Sequence, residues 1–316
     1  MSVLWLVLVL ALAVGLSLGL LGGGGSILAV PLLVYVAGLG TKEAIATSLL
    51  VVGVTSLAAL VPHALARRVH WRTGLVFGAA AMAGAYAGGR IAEFVPGTAL
   101  LVGFAVMMLA TAVAMIRGRR AVEPRPEGAR AWAVLLEGGV VGLLTGMVGA
   151  GGGFLVVPAL VLLGGLPMGA AVGTSLLVIA LKSFAGLAGY AAAVQVDWGL
   201  AAAVSAAAVA GSVVGGTLTG RVPAAALRRA FGWFVVAMGA FVLAREAAPL
   251  LGGGPVVAVA VAAGAVAVAV LAVTVATRSA TVFPVADDHR GRGGPSWQTG
   301  GTGGAARGSP ARREPR

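Results

Sequence analysis

Cysteine is absent from these 316 residues, which excludes disulfides, thiol redox chemistry and thiolate metal sites. Charge is scarce: Asp, Glu, Lys and Arg make up 10% of the chain, against about 25% in a soluble domain. Histidine occurs only at His63, His70 and His289, with no metal-ligand spacing. The glycine runs follow no soluble strand and lack the Lys-Ser/Thr ending of a phosphate loop. No hydrolase, kinase or metalloprotease constellation is present. These absences point away from an enzyme and imply no cofactor.

What remains is apolar. Hydrophobic residues account for 59% of the chain, and the mean hydropathy is +1.02. Runs near 20 apolar residues recur, each long enough to cross a ~30 Å hydrocarbon layer as a helix. Backbone groups in lipid must bond internally, and the runs lack the alternation of a barrel strand. The expected class is an all-α, multi-pass bundle in the cell membrane, with lipid as its surroundings. The first 21 residues read as a retained span, because no Lys or Arg precedes them and no clear cleavage site follows. The net charge of +12 reads as loop arginines that set orientation; no soluble domain exists to carry a nucleic-acid surface.

The chain repeats itself. GLSLGLLGGGGSILAVP at 15–31 returns as GLLTGMVGAGGGFLVVP at 142–158, an offset of 127 residues. The offset holds for AIATSLL at 44–50 and AVGTSLL at 171–177, and for VHW at 69–71 and VDW at 196–198. It also relates AGAYAGGRIAEFVP at 83–96 to AGSVVGGTLTGRVP at 210–223. Apolar runs in the first copy cover 3–21, 26–38, 44–66, 72–92 and 97–116. In the second they cover 131–148, 153–165, 168–193, 199–219 and 223–244. The expected organisation is a membrane repeat at 1–117, a cytoplasmic linker at 118–130 and a second repeat at 131–246. An extra transmembrane helix follows at 254–277, then a disordered Arg/Gly-rich tail at 278–316.

Periodicity leaves open whether the short runs 26–38 and 153–165 cross the bilayer or re-enter. Charge distinguishes the two cases, because Lys and Arg gather in cytoplasmic loops. Five crossings per copy with the N-terminus outside place 18 of the 22 basic residues on the cytoplasmic side. Four crossings per copy place fewer inside than outside. The odd count predicts inverted repeats.

Glycine breaks precede the short runs, so helices are expected to start near Gly24, Gly25 and Ser26 in one copy and Gly151, Gly152 and Gly153 in the other. A helix start presents unpaired N–H donors and a partial positive charge, and glycine lets an anion approach closely. Glycines that only serve tight helix packing are the competing reading. Thr47–Ser48 and Thr174–Ser175 sit at matched positions in the following helix and can donate to an oxyanion; lone hydroxyls in a span usually bond their own helix instead. Lys182 is the basic residue placed well inside a span, two turns beyond Thr174 on the same expected face. Its counterpart is Thr55. Snorkelling to the interface is the alternative for Lys182. Glu137 could carry protons, His63 reads as interfacial, and Trp71 and Trp198 read as interfacial anchors.

With these residues in view, the chain resembles the TauE/SafE family of membrane permeases, described as sulfite exporters and sulfonate transporters. The resemblance rests on GGGGSILAVP at Gly22–Pro31 and GAGGGFLVVP at Gly149–Pro158, with the A-x-(A/G)-T-S-L-L and V-x-W elements behind each. It covers about residues 5–245. It implies secondary transport of a small anion, often sulfur-containing, and leaves open a coupling ion (proton or sodium) and homo-oligomeric assembly. Ser26 replaces the third glycine of the second copy's triplet, so the half-sites are not equivalent. A non-transporting scaffold or sensor with a signalling tail is the alternative function.

Overall fold

The structure is a computed structural model that describes residues 2–21, 24–117, 131–149, 152–162, 166–191, 193–218, 224–252 and 254–281. The expected linker at 118–130, the tail beyond 281, and Gly22, Gly23 and Gly151 lie outside the described residues.

Every regular element among the described residues is helical. The first copy contributes α1 (Ser2–Leu21), a short broken helix, α3 (Thr41–Leu65), α4 (Trp71–Ala92) and α5 (Gly97–Arg117). The broken helix is a 3-10 turn at Gly24–Leu28, α2 (Ala29–Pro31) and a π turn at Leu32–Val36. The second copy contributes α6 (Ala131–Val148), α7 (Gly153–Leu162), α8 (Met168–Tyr190), α9 (Trp198–Leu218) and α10 (Ala224–Leu250), and α11 (Pro255–Thr281) follows. Among the described residues, six helices are long and apolar enough to cross a membrane. The chain is therefore an all-α, multi-pass membrane protein.

Several boundaries differ from the sequence expectation, and α11 runs to Thr281, four residues into the expected disordered tail. The run at 26–38 is not one regular helix. Pro31 has no N–H to give to the preceding turn, and the hydrogen-bond pattern changes across it from 3-10 to π. α10 does not stop at 244 but continues through Arg245 and Glu246 to Leu250. Charged side chains at a helix end do not interrupt backbone bonding. The stop comes at Gly252, whose φ of +68° ends the helix in the left-handed region.

The two copies interlock. α1 packs along α9, and α6 packs along α4, so the first helix of each copy lies on the fourth helix of the other. A Cβ on Gly15 would stand 1.9 Å from the Ala208 carbonyl oxygen, and one on Gly142 would stand 2.1 Å from that of Ala81. Gly19 and Ser212 repeat this at 2.2 Å, and Gly146 and Ala85 at 2.4 Å. Each contact reappears with both partners displaced by 127 residues and the copies exchanged. The backbones touch with no room for a methyl group, the close approach by which helices associate in lipid.

Matched helices of the two copies run in opposite directions where they meet. On α3 and α8, Leu49 lies beside Gly186, Gly53 beside Phe184 and His63 beside Gly173. On α5 and α10, Met108 and Leu109 lie beside Gly239, while Ala112 and Ile116 lie beside Gly232. The α3–α8 register brings Thr55 level with its counterpart Lys182, well inside both helices.

Candidate functional site

The site begins with the end of α6. Gly149 has a φ of +72° and Gly152 a φ of +58°, conformations that a side chain would strain. The Gly149 N–H closes the last turn of α6 on the Thr145 carbonyl at 2.9 Å. Gly152 offers its carbonyl to the N–H groups of Leu155 and Val156, both at 3.0 Å, and so opens α7. The expected helix start at Gly152–Gly153 is present. In the first copy the start at Gly24–Gly25 is a five-residue 3-10 turn folded back on α1, where a Cβ on Gly25 would meet the Ser17 hydroxyl at 2.2 Å. This 3-10 turn also touches α7.

Lys182 reaches this second start. Its side chain is 2% exposed, and its ammonium donates to the Thr145 hydroxyl at 2.6 Å. A Cβ on Gly152 would stand 2.5 Å from Nζ, so the ammonium lies against the residue that opens α7. The Thr145 hydroxyl in turn donates to the Val141 carbonyl at 2.7 Å, which leaves its lone pairs aimed at the lysine. The described partner of the ammonium is this neutral hydroxyl, and the Arg90–Glu93 ion pair at 3.3 Å is elsewhere. A buried cation and a helix N-terminus thus share one spot, two positive features without a described counter-charge.

The other expected residues take separate positions. Ser48 is fully buried and donates to the Gly149 carbonyl at 2.7 Å and to its own Ile45 carbonyl at 3.0 Å, so it pins the α6 cap to α3. Thr47 is 1% exposed and its hydroxyl has no partner. Thr174 accepts the His70 N–H at 2.9 Å and ties α8 to the loop before α4. Ser175 donates to the Val172 carbonyl at 2.7 Å on its own helix. Ser26 is fully buried within the 3-10 turn. The structure therefore brings Lys182, Gly152, Gly153 and, through Gly149, Ser48 together, and holds Thr174 at the far end of α8.

Thr145 is the residue that sequence reasoning missed. It lies inside the repeated motif, but its counterpart is Leu18, so the repeat gave no signal for it. Tyr190, which stands at the counterpart position of His63, likewise carries no signal of its own in the sequence. It is fully buried and its hydroxyl donates to the Met147 carbonyl, which braces the end of α6 beside the site.

These features define a class: a multi-pass helical membrane protein built from two interlocked copies around a buried, cationic helix start. The chain belongs to the family described as sulfite exporter TauE/SafE, which it matches over residues 7–242. It is similar to a "Probable membrane transporter protein" of Xylella fastidiosa (strain 9a5c), 36% identical over 245 residues, covering 75% of this chain and 94% of the relative. A "Probable membrane transporter protein" of Methanocaldococcus jannaschii is 29% identical over 195 residues, covering 58% and 73% of the two chains. The "Probable membrane transporter protein YunE" of Bacillus subtilis is 28% identical over 238 residues, covering 67% and 86%. No solved structure matches the chain significantly. Family and relatives alike carry the names of membrane transporters, not of enzymes, and this chain is a membrane transporter.

Proposed function

We propose that this chain is a secondary transporter of a small anion, a sulfur-containing oxyanion such as sulfite or a sulfonate, and that it works by alternating access between inverted halves. One observation carries the reading: the Lys182 ammonium lies buried against the N-terminal end of α7 with a neutral threonine as its described partner. An anion bound there would gain from both the fixed charge and the unpaired N–H groups of the helix start. The opposite run of α3 and α8 supports inverted halves, and the basic loop at 67–72 supports a cytoplasmic end for α3. On this reading α3 runs from outside to inside and α8 from inside to outside. Lys182 is closed off from both faces, the condition expected of an occluded state. In the substrate pathway, Gly152 and Gly153 supply backbone donors, Lys182 the charge and Thr145 the orientation of that charge. Gly24, Gly25, Ser26, Thr47, Ser48, Thr174 and Ser175 belong to the surrounding frame.

The test is uptake of radiolabelled sulfite and methanesulfonate into proteoliposomes. Lys182→Met is expected to insert and purify normally while its anion uptake falls at least tenfold, about 1.4 kcal/mol or more of lost binding. Uptake equal to the unmodified protein would remove Lys182 from the site.

A further inference from the structure

Most buried hydroxyls in this bundle bond to a carbonyl of their own helix, the default in a span. Ser48, Thr55, Thr111, Thr145, Ser175 and Ser212 do so, three or four residues back. Among the described residues, the hydroxyls of Thr47, Ser56, Ser183 and Ser205 are buried without a hydrogen-bond partner. Ser56 and Ser183 are counterparts at the 127-residue offset, so the two copies agree there. At Thr47 they disagree. Its counterpart Thr174 accepts the His70 N–H at 2.9 Å and ties α8 to the turn before α4. The matching donor for Thr47 is the Asp197 N–H, in the turn before α9. That bond is not made, because the Thr47 hydroxyl has no partner. Acceptor and donor are the same in both copies, a threonine hydroxyl and a backbone N–H. The difference is one of arrangement, not of residue type.

The seams around the two threonines differ in the same sense. α4 closes on α8 along its length. A Cβ on Gly74 would stand 3.0 Å from Thr174 and from Leu177, one on Gly78 3.0 Å from Leu181, and one on Gly89 2.7 Å from the Gly186 carbonyl oxygen. In the matched α3–α9 seam, Gly216 is the counterpart of Gly89, and a Cβ there would meet nothing within 4 Å. Ser205, the counterpart of Gly78, is the other unpartnered hydroxyl. A cavity of about 10 Å³ lies beside this seam, bordered by Val51, Val204 and Ala208. At the place of Val204 the first copy has Phe77, which is 1% exposed and packed into the second copy's core. The α4–α8 seam is sealed, and the α3–α9 seam has slack.

We propose that Thr174–His70 and Thr47–Asp197 are the inner and outer latches of one reciprocal gate. The inner latch is closed in this structure and the outer one released, and opening toward the cytoplasm exchanges them. This rests on the alternating-access reading above and assigns its moving seams. On that reading Thr174 lies in the inner half of α8 and Thr47 in the outer half of α3. Each state makes one latch and leaves one buried hydroxyl unpaired, so the two states are balanced in hydrogen bonds and neither is a trap. Thr47 and Thr174 act as positioning residues: they hold helices and do not touch the anion.

The absence of cysteine makes the test direct, since introduced thiols are the only ones present. Spin labels at Arg72→Cys with Pro167→Cys report the inner ends of α4 and α8. The matched pair Gly199→Cys with Gly40→Cys reports the outer ends of α9 and α3; all four positions are exposed. Distances are measured by pulsed electron resonance on protein in lipid nanodiscs, after elution profile and thermal unfolding confirm the fold. Thr174→Val is expected to lengthen the inner distance and shorten the outer one. The ratio of the two populations should move about fivefold, the worth of one hydrogen bond. Thr174→Ser, which keeps the hydroxyl, should restore the inner distance. Thr47→Val should deplete the outer-closed population about fivefold and leave the inner pair closed. Unchanged distances in Thr174→Val, lengthening of both pairs together, or a serine variant that behaves like the valine one would overturn the latches. In a protein that takes up sulfite, those results leave anion transport intact. Absence of uptake of any sulfite, sulfonate or small carboxylate by the unmodified protein would overturn the transport reading itself, and the latches with it.

Discussion

Lys182 and Thr145 show how one pair of side chains can carry two kinds of information. Lys182 was legible in the sequence because an ammonium is costly in lipid and it has no basic neighbour within its span. Thr145 was not legible, because a lone threonine in a span ordinarily bonds its own helix, and Thr145 does that as well, to Val141. Its second role, accepting from Lys182, exists only because α6 and α8 bring the two together. Thr145→Val keeps the shape and removes the acceptor. A hydrogen bond to a charged group is worth about 1.5–3 kcal/mol, so this variant should raise KM for anion uptake roughly tenfold or more. It should leave kcat and the amount of folded protein nearly unchanged. A KM equal to that of the unmodified protein, measured in the same liposome assay, would leave Thr145 a structural residue only.

The element that matters most is the break between α6 and α7. Its existence was readable from GAGGG, and so was the glycine requirement. Gly152 sits at φ +58°, and a Cβ there would stand 2.4 Å from the Thr145 side chain as well as 2.5 Å from Nζ. Gly152→Ala should therefore strain the backbone and push the ammonium aside, at a cost on the order of 1–3 kcal/mol. Lower thermal stability together with loss of anion-induced stabilisation is the expected result; an unchanged ligand-induced shift would separate the break from binding. The first copy's break was equally visible, yet it forms a 3-10 turn with a π turn beyond Pro31. Hydrophobic periodicity averages over such a short run and cannot separate 3-10, α and π bonding. The added turns of α10 were missed for a related reason. Hydropathy marks where lipid contact ends, whereas Gly252 marks where helical bonding ends.

At the scale of the whole molecule, the two copies do not stand side by side as separate bundles. Each gives its first helix to the fourth helix of the other, and the glycine contacts at Gly15, Gly19, Gly142 and Gly146 make those seams close. The α3–α8 pair, whose members are counterparts, crosses between the copies in opposite directions. If the copies are inverted in the membrane, matched surface positions must face opposite compartments. Ala66 and Ala193 are such a pair, both exposed and both just after the helices that carry the site. Ala66→Cys should be labelled by an impermeant maleimide from the cytoplasmic side only, and Ala193→Cys from the outside only. Labelling of both from one face would give the copies a common orientation and remove the alternating-access scheme.

Composition, run length and the 127-residue offset determined, without any tertiary information, that this is a helical membrane protein of duplicated plan with one anomalous cation. Those properties are local: transfer of each side chain to lipid, backbone bonding within each helix, and the backbone freedom of glycine are set residue by residue. The tertiary structure alone decided that Lys182 meets Thr145 and the start of α7, that Thr174 is held by His70 instead, and that Ser56 and Ser183 are left without partners. Those outcomes depend on which helix faces are pressed together across the two copies, and no pattern along a single segment encodes that choice.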